Sequence, residues 1–237
     1  MINNISVIGA GQMGNGIAHV FAQAGFKVTL IDLKLENIEA ALKTINKNLD
    51  RQIAKGIISE DDKKNTIANI NSTQDIKQGV KDSTLVIEAA TENFDLKLKI
   101  FRQLDEFAPL GCILATNTSS ISITKIAAAT IRPQDVIGMH FMNPVPVMKL
   151  VEIINGYATK KEVTESIVAL SEKLGKVPCV VNDYPGFVAN RILMPMINEA
   201  IITLFEGVAG VSEIDTVMKL GMAHPMGPLQ QIGRAHV

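Results

Sequence analysis

Hydrophobic residues fall along this chain in short dense runs, separated by stretches where they recur every three or four positions. The runs are 5–10 (ISVIGA), 27–32 (KVTLID), 84–90 (TLVIEAA), 112–116 (CILAT), 136–141 (VIGMHF) and 148–154 (MKLVEII). Several are apolar nearly throughout, as strands covered on both faces must be. The intervening periodicity predicts helices at about 13–25, 36–55, 60–68, 95–108, 122–130 and 162–174. Strands alternating with helices predict an α/β fold, a doubly wound and mainly parallel sheet with right-handed crossovers. The pattern changes after YPGF (184–187), and from Val188 onward it is helical, with ANRILMPMINEAIITLFEG the longest such run. A boundary near residue 185 is therefore expected, giving an α/β domain over 1–185 and an all-helical domain over 186–237.

The first strand leads into the strongest local motif. Gly9, Gly11 and Gly14 form G-x-G-x-x-G between a predicted strand and a predicted helix. The first glycine permits the tight turn, the second admits a pyrophosphate to the backbone, and the third lets helix and strand pack closely. The helix start then offers unpaired N–H groups and partial positive charge to phosphates. Asp32 ends the next strand, where an acid accepts the ribose hydroxyls of NAD and repels the 2′-phosphate of NADP, with Lys34 close enough to soften that repulsion. NAD is the expected cofactor.

A second constellation lies in GMHFMNPVPVMKLVEI, residues 138–153, which places His140 and Glu152 among apolar neighbours. Their midpoint is Pro146. If 136–141 and 148–153 pair as an antiparallel ribbon about it, the two residues are opposed and share a face. A carboxylate on one imidazole nitrogen fixes the tautomer and stabilises the imidazolium, leaving the other nitrogen as an acid or base near neutrality. The bland reading is a core histidine satisfied by a structural acid. Asn117, Thr118, Ser119 and Ser120 follow the CILAT strand, at the end of the sheet where ligands of open α/β folds bind. One of the two serines could instead cap the following helix.

Composition narrows the partners. The net charge is −1, aromatic residues are 4% and tryptophan is absent, which gives nucleic acid or an anionic membrane no electrostatic or stacking basis. No apolar run reaches the roughly 20 residues of a membrane span. The strand beginning almost at Met1 leaves no room for a leader, so a cytoplasmic setting is expected. Cys112 and Cys179 lack metal-site spacing and are expected to be buried, reduced thiols, with no metal site. Lys43, Lys47, Arg51 and Lys55 recur every four residues, either as a solvated helix face or as a contact for a phosphate-rich ligand such as the nucleotide end of coenzyme A.

Together VIGAGQMGNGIA, LVIEAATEN, TNTSS, GMHFMNPVPVMKLVEI, PGFVANRILMPMINEA and HPMGP resemble the 3-hydroxyacyl-CoA dehydrogenase family, and most closely its bacterial 3-hydroxybutyryl-CoA branch, in order and spacing over residues 1 to about 229. The resemblance implies a Rossmann-type domain, then a helical domain that contributes to substrate binding and to a homodimer. It also implies reversible NAD-linked oxidation of an L-3-hydroxyacyl-CoA, a reaction of fatty acid and butanoate metabolism. It makes His140 the base, Glu152 its orienting acid, and Ser119 and Asn190 the groups about the reacting oxygen and carbon. It puts NAD contacts on Gly9, Gly11, Gln12, Met13, Gly14, Asp32, Glu92, Lys97, Ser119 and Asn143, and coenzyme A contacts on Ser119, Asn48 and Lys55. Ser120 is then the capping candidate.

Two rivals stand beside it. One is another Rossmann-type 3-hydroxyacid dehydrogenase, against which the His140–Glu152 pair argues because many such enzymes use a lysine base. The other is a catalytically impaired NAD-binding fragment, because the chain departs from the family pattern at its end. IGRAHV, residues 232–237, corresponds to one reading frame of a sequencing adapter, so those residues are expected to be artefactual and the helical domain incomplete.

Overall fold

In a computed structural model, described for residues 2–232, the chain forms two compact units, Met1–Tyr184 and Pro185–Val237. The first is built on one eight-stranded sheet. Its strands are β1 (Asn4–Ile8), β2 (Lys27–Ile31), β3 (Ile70–Thr73), β4 (Leu85–Glu88), β5 (Ile113–Thr116), β6 (Val136–Phe141), β7 (Leu150–Asn155) and β8 (Val177–Asn182). They lie in the order β3-β2-β1-β4-β5-β6-β7-β8, and all neighbours are parallel except β6 and β7. The order reverses between β1 and β4, so the crevice beyond their C-terminal ends is where this topology binds ligands.

The helices of this unit are α1 (Gln12–Gln23), α2 (Leu35–Ala54), α3 (Glu60–Ala68), α4 (Ile76–Val80), α5 (Phe94–Phe107), α6 (Ile123–Ala127) and α7 (Lys161–Lys173). Strands β4, β5 and β6 are buried at every position, which explains their unbroken apolar runs. Strands β3 and β8 and helix α4 escape the hydrophobic pattern. INST in β3 is polar after Ile70, and VPCVVN in β8 carries Pro178, which confines a strand to a sheet edge. Both strands are indeed the edges. Edge placement also leaves Cys179 exposed, against the expectation of two buried thiols, whereas Cys112 is buried and its thiol is pushed up to about 12, chiefly by desolvation.

Phe21 of α1 packs edge-to-face on Phe26 and on Phe141 of β6, with centroids 5.7 and 6.4 Å apart. Side chains alternate along a strand, so this contact anchors one face of β6 on α1 and turns His140 to the other. The turn between β6 and β7 is held from two sides. A Cβ at Gly16 of α1 would lie 2.8 Å from Val145 Cβ, so the helix and the turn meet at van der Waals limits. Buried Lys176, just before β8, donates from Nζ to the carbonyls of Val145 (2.5 Å) and Met148 (2.7 Å).

The second unit contains α8 (Ala189–Phe205), α9 (Val211–Thr216), a π-helical turn (Val217–Gly221) and α10 (Pro228–Ile232). Asp215 of α9 caps α10 by accepting from Leu229 and Gln230 N–H at 2.9 and 3.0 Å. Ile192, Phe205 and Leu220 present large apolar surfaces. Of the residues read as adapter-encoded, 233–237 lie outside the described residues.

Candidate active site

The glycine loop closes on the switch point. Gly9 follows β1 with φ +96°, and a Cβ there would lie 2.7 Å from the carbonyl oxygen of Ala89, just past β4. A Cβ on Gly14 would lie 1.7 Å from the Gly9 oxygen, so no side chain fits there. Gly11, by contrast, would point a Cβ into open space. Packing therefore excludes side chains at two of the glycines, while at Gly11 only an incoming ligand would. Asp32 lies just past β2, and its Oδ2 accepts from Ala10 N–H (2.8 Å) while Oδ1 accepts from Lys34 N–H and Asn37 Nδ2 (3.0 Å each). The acid thus pins the glycine loop as well as facing the cleft, and its two oxygens retain lone-pair capacity for hydroxyl donors. Gly9, Gly11, Asp32, Lys34 and Asn37 line one wall of a cleft of about 450 Å³.

At the other end of the crevice stands the ribbon. His140 on β6 is in register with Glu152 on β7, and His140 Nδ1 lies 2.7 Å from Glu152 Oε2. Both are buried. His140 lines a second cleft, of about 310 Å³, together with Met13, Glu92, Asn117, Ser119 and Asn143. Asn117 ties this end together, its N–H donating to the Glu88 carbonyl (2.7 Å) and its Oδ1 accepting from Phe141 N–H (2.9 Å).

Glu92 organises the loop after β5. Its Oε1 accepts from Thr118 Oγ1, Ser119 N–H (3.0 Å), Ser120 Oγ (3.2 Å) and Ser119 Oγ (3.4 Å). Half-burial alone would raise its carboxyl. The Thr118 hydrogen bond, the Lys97 charge and the Ser119 N–H outweigh that and hold it below the usual carboxylate range. Lys97 stands 3.3 Å from Glu92 Oε2 and also donates to both oxygens of Glu88, at 2.7 and 2.9 Å.

The family model described as "3-hydroxyacyl-CoA dehydrogenase, NAD binding domain" matches residues 4–184, and that for the C-terminal domain of the same enzymes matches 186–237. The chain belongs to the 3-hydroxyacyl-CoA dehydrogenase family. It is similar to a probable 3-hydroxybutyryl-CoA dehydrogenase of Bacillus subtilis, at 54% identity over 96% of this chain and 79% of that one. The mitochondrial hydroxyacyl-coenzyme A dehydrogenase of Homo sapiens is 42% identical over 97% of this chain and 75% of its own. Among solved structures, (S)-3-hydroxybutyryl-CoA dehydrogenase from Ralstonia eutropha superimposes with a TM-score of 0.94 at 48% identity, covering 97% of this chain and 81% of that one. This dehydrogenase is thus an oxidoreductase with a Rossmann-type NAD-binding domain, and the chemistry of its family is NAD-linked oxidation of 3-hydroxyacyl-CoA.

Within the dehydrogenase, the capping expectation needs correction. Neither Ser119 nor Ser120 caps the helix after β5. Ser122 does, its Oγ accepting from Lys125 N–H while donating to Asp183 Oδ2 at 2.7 Å. Ser122 lies six positions past the end of β5 at Thr116, and Glu92 occupies both earlier serines. Lys97 is 1% exposed, and its ammonium is enclosed by Glu88, Glu92 and the Ala90 carbonyl, so it reaches the cleft through Glu92 rather than directly. Asn48 is half-buried on α2 and Lys55 is the exposed residue that ends it. Neither lines either cleft. Lys43, Lys47 and Arg51 are exposed along the same helix. Gln12 is exposed and Met13 half-buried in the first turn of α1. Asn190 is half-buried in the first turn of α8, in the second unit. Sequence reasoning missed Glu88 and Lys176, because a lone charge inside an apolar run or before an edge strand gives no periodic signal. No helix among the described residues is long and apolar enough to cross a membrane, and none of their acidic, histidine and cysteine side chains cluster as a metal site.

Proposed function

We propose that this dehydrogenase interconverts L-3-hydroxybutyryl-CoA and acetoacetyl-CoA, with His140 as the acid–base and Glu152 as its orienting carboxylate. The observation that carries the reading is the buried His140–Glu152 pair, in register across β6 and β7, at the cleft that Ser119 and Asn143 also line. The names of the similar bacterial enzymes supply the short acyl chain.

Glu152 holds Nδ1 and so directs Nε2 to the substrate hydroxyl. In oxidation Nε2 takes the hydroxyl proton, and the Glu152 charge stabilises the imidazolium that forms; in reduction the same nitrogen returns the proton. The hydroxyl of Ser119 orients the reacting oxygen, and Asn143 faces the cofactor from the ribbon turn. The chemistry that NAD supplies when bound is hydride transfer. Gly9, Gly11, Gln12, Met13 and Gly14 would hold its pyrophosphate at the start of α1, and Asp32 its adenosine ribose. Asn190, which the family resemblance assigns to the reacting carbon, belongs to the second unit.

The coenzyme A end would meet Asn48, Lys55 and the exposed basic face of α2, where phosphate contacts gain most from charge. A homodimer joined through the second unit would cover its exposed Ile192, Phe205 and Leu220. Residence in the cytoplasm belongs to the same reading. Mixing the chain with acetoacetyl-CoA and NADH should consume NADH absorbance at 340 nm, with free acetoacetate a poor substitute. Equal turnover of the free acid would overturn the CoA-ester reading.

A further inference from the structure

We propose that Glu88 is a positioning residue of the reaction, acting through Lys97 to fix the Glu92 carboxylate that gathers the Thr118–Ser120 loop at the cleft. The inference rests on the proposed role of Ser119 and deepens it. Glu88 ends β4 and its side chain is 0% exposed. Four hydrogen bonds from three groups converge on it: Lys97 Nζ on both oxygens, Ala90 N–H on Oε1 (2.7 Å) and Thr116 Oγ1 on Oε2 (2.7 Å). Lys97 is equally enclosed, four positions past Asn93, the residue that caps α5. Its ammonium sits between two carboxylates, one buried and one reaching the cleft, and Glu92 in turn collects four donors from three consecutive residues of the loop.

Stability does not explain such a pair. Removing two charges from water costs more than their attraction usually returns, and apolar replacements of buried pairs are often neutral or stabilising. What the pair supplies is direction. Two bonds to Glu88 leave the ammonium's remaining donor on the side where Glu92 Oε2 (3.3 Å) and the Ala90 carbonyl (3.4 Å) lie. The register of β4 with β5 places Thr116 opposite Glu88, so the loop that begins at Asn117 is tied to the same carboxylate from its own strand. Backbone and side chain thus bring the Ser119 loop to one buried anion by two routes.

The test removes both charges and keeps the shape. In the Glu88→Gln/Lys97→Met double variant, the chain should keep its thermal midpoint. The Ser119 amide, which donates to Glu92 Oε1 at 3.0 Å, should lose at least about tenfold in hydrogen-exchange protection. In the NADH assay kcat/KM for acetoacetyl-CoA should fall at least about tenfold. A folded double variant with unchanged Ser119 exchange and unchanged kcat/KM would reduce the pair to a structural link. Should the double variant fail to fold, a cycle decides. Glu88→Gln should cost about tenfold in the parent and little in a Glu92→Gln background, whereas equal costs in both would show that Glu88 does not act through Glu92. The exchange measurement needs no turnover. An inactive parent would therefore count against the proposed function, and unchanged Ser119 exchange against this inference.

Discussion

At the residue scale the site is a set of acceptors that each hold more than one element. Asp32 pins the glycine loop and faces the cofactor cleft, Glu92 gathers three loop residues, and Glu152 holds His140. His140→Ala should therefore lower kcat by at least about 100-fold while leaving NADH affinity within about twofold, because Asp32 and the glycine loop are separate from the ribbon. Stopped-flow turnover and NADH fluorescence titration measure the two quantities, and a joint loss of both would count against a purely acid–base role. Asp32→Asn keeps the shape but removes the charge. It should raise the KM for NADH and narrow the preference over NADPH, read as the ratio of kcat/KM for the two cofactors, since an anion at the ribose end penalises a 2′-phosphate. The opposition of His140 and Glu152 was legible in the sequence, because equal spacing about Pro146 leaves few registers for a ribbon that must bury Met139, Phe141, Val151 and Ile153. Glu88 was not legible, since one acid in LVIEAA has no side-chain partner within the motif and its side-chain partners come from α5 and β5.

At the element scale the ribbon, α1 and the residue before β8 form one assembly. α1 carries the glycine loop at its start and touches the ribbon turn at Gly16, so the glycine-loop helix and the His140–Glu152 ribbon share a contact. Gly16→Ala gains up to about 1 kcal/mol of helix propensity, yet its Cβ would meet Val145 Cβ at 2.8 Å, on a branched carbon that cannot swing aside. Overpacking of this kind costs about 1–3 kcal/mol, so the net effect should be destabilising, and Val145→Ala in the same chain should restore part of it. Denaturant midpoints of the three variants check this, and a stabilised Gly16→Ala would mean the turn moves freely. Lys176→Met removes the two carbonyl contacts of that turn and should lower kcat more than it raises the KM for NADH, because it loosens the ribbon and not the glycine loop. The alternation of strands and helices was readable from apolar runs. The edge strands β3 and β8 were not, since an edge strand is selected to be short, polar or proline-bearing and so loses the pattern by which strands are recognised.

At the scale of the whole molecule, one buried base couples stability to pH. His19 of α1 is fully buried, and its Nε2 lies 3.4 Å from Gln52 Nε2 of α2. Burial lowers its pKa from 6.5 to about 4, against a hydrogen bond to Gln23 that raises it and with the Lys176 charge adding to the fall. The folded chain therefore keeps His19 neutral while the unfolded chain protonates it near its ordinary value. Below pH 6.5 the unfolded state binds more protons, so the stability contributed by neutral His19 is complete above pH 6.5 and drains away as pH falls toward about 4. The full span amounts to about 3 kcal/mol. Carboxylates held below their usual range, among them Glu92 and Asp183, also lose stability in acid, but they are common to parent and variant. His19→Gln keeps a polar group against Gln52 without a titrating ring, so its unfolding free energy should change less than the parent's between pH 7 and pH 4.5. Urea unfolding of both chains at the two pH values isolates the difference. Parallel pH dependence in the two would show that His19 is already accessible to protons in the fold.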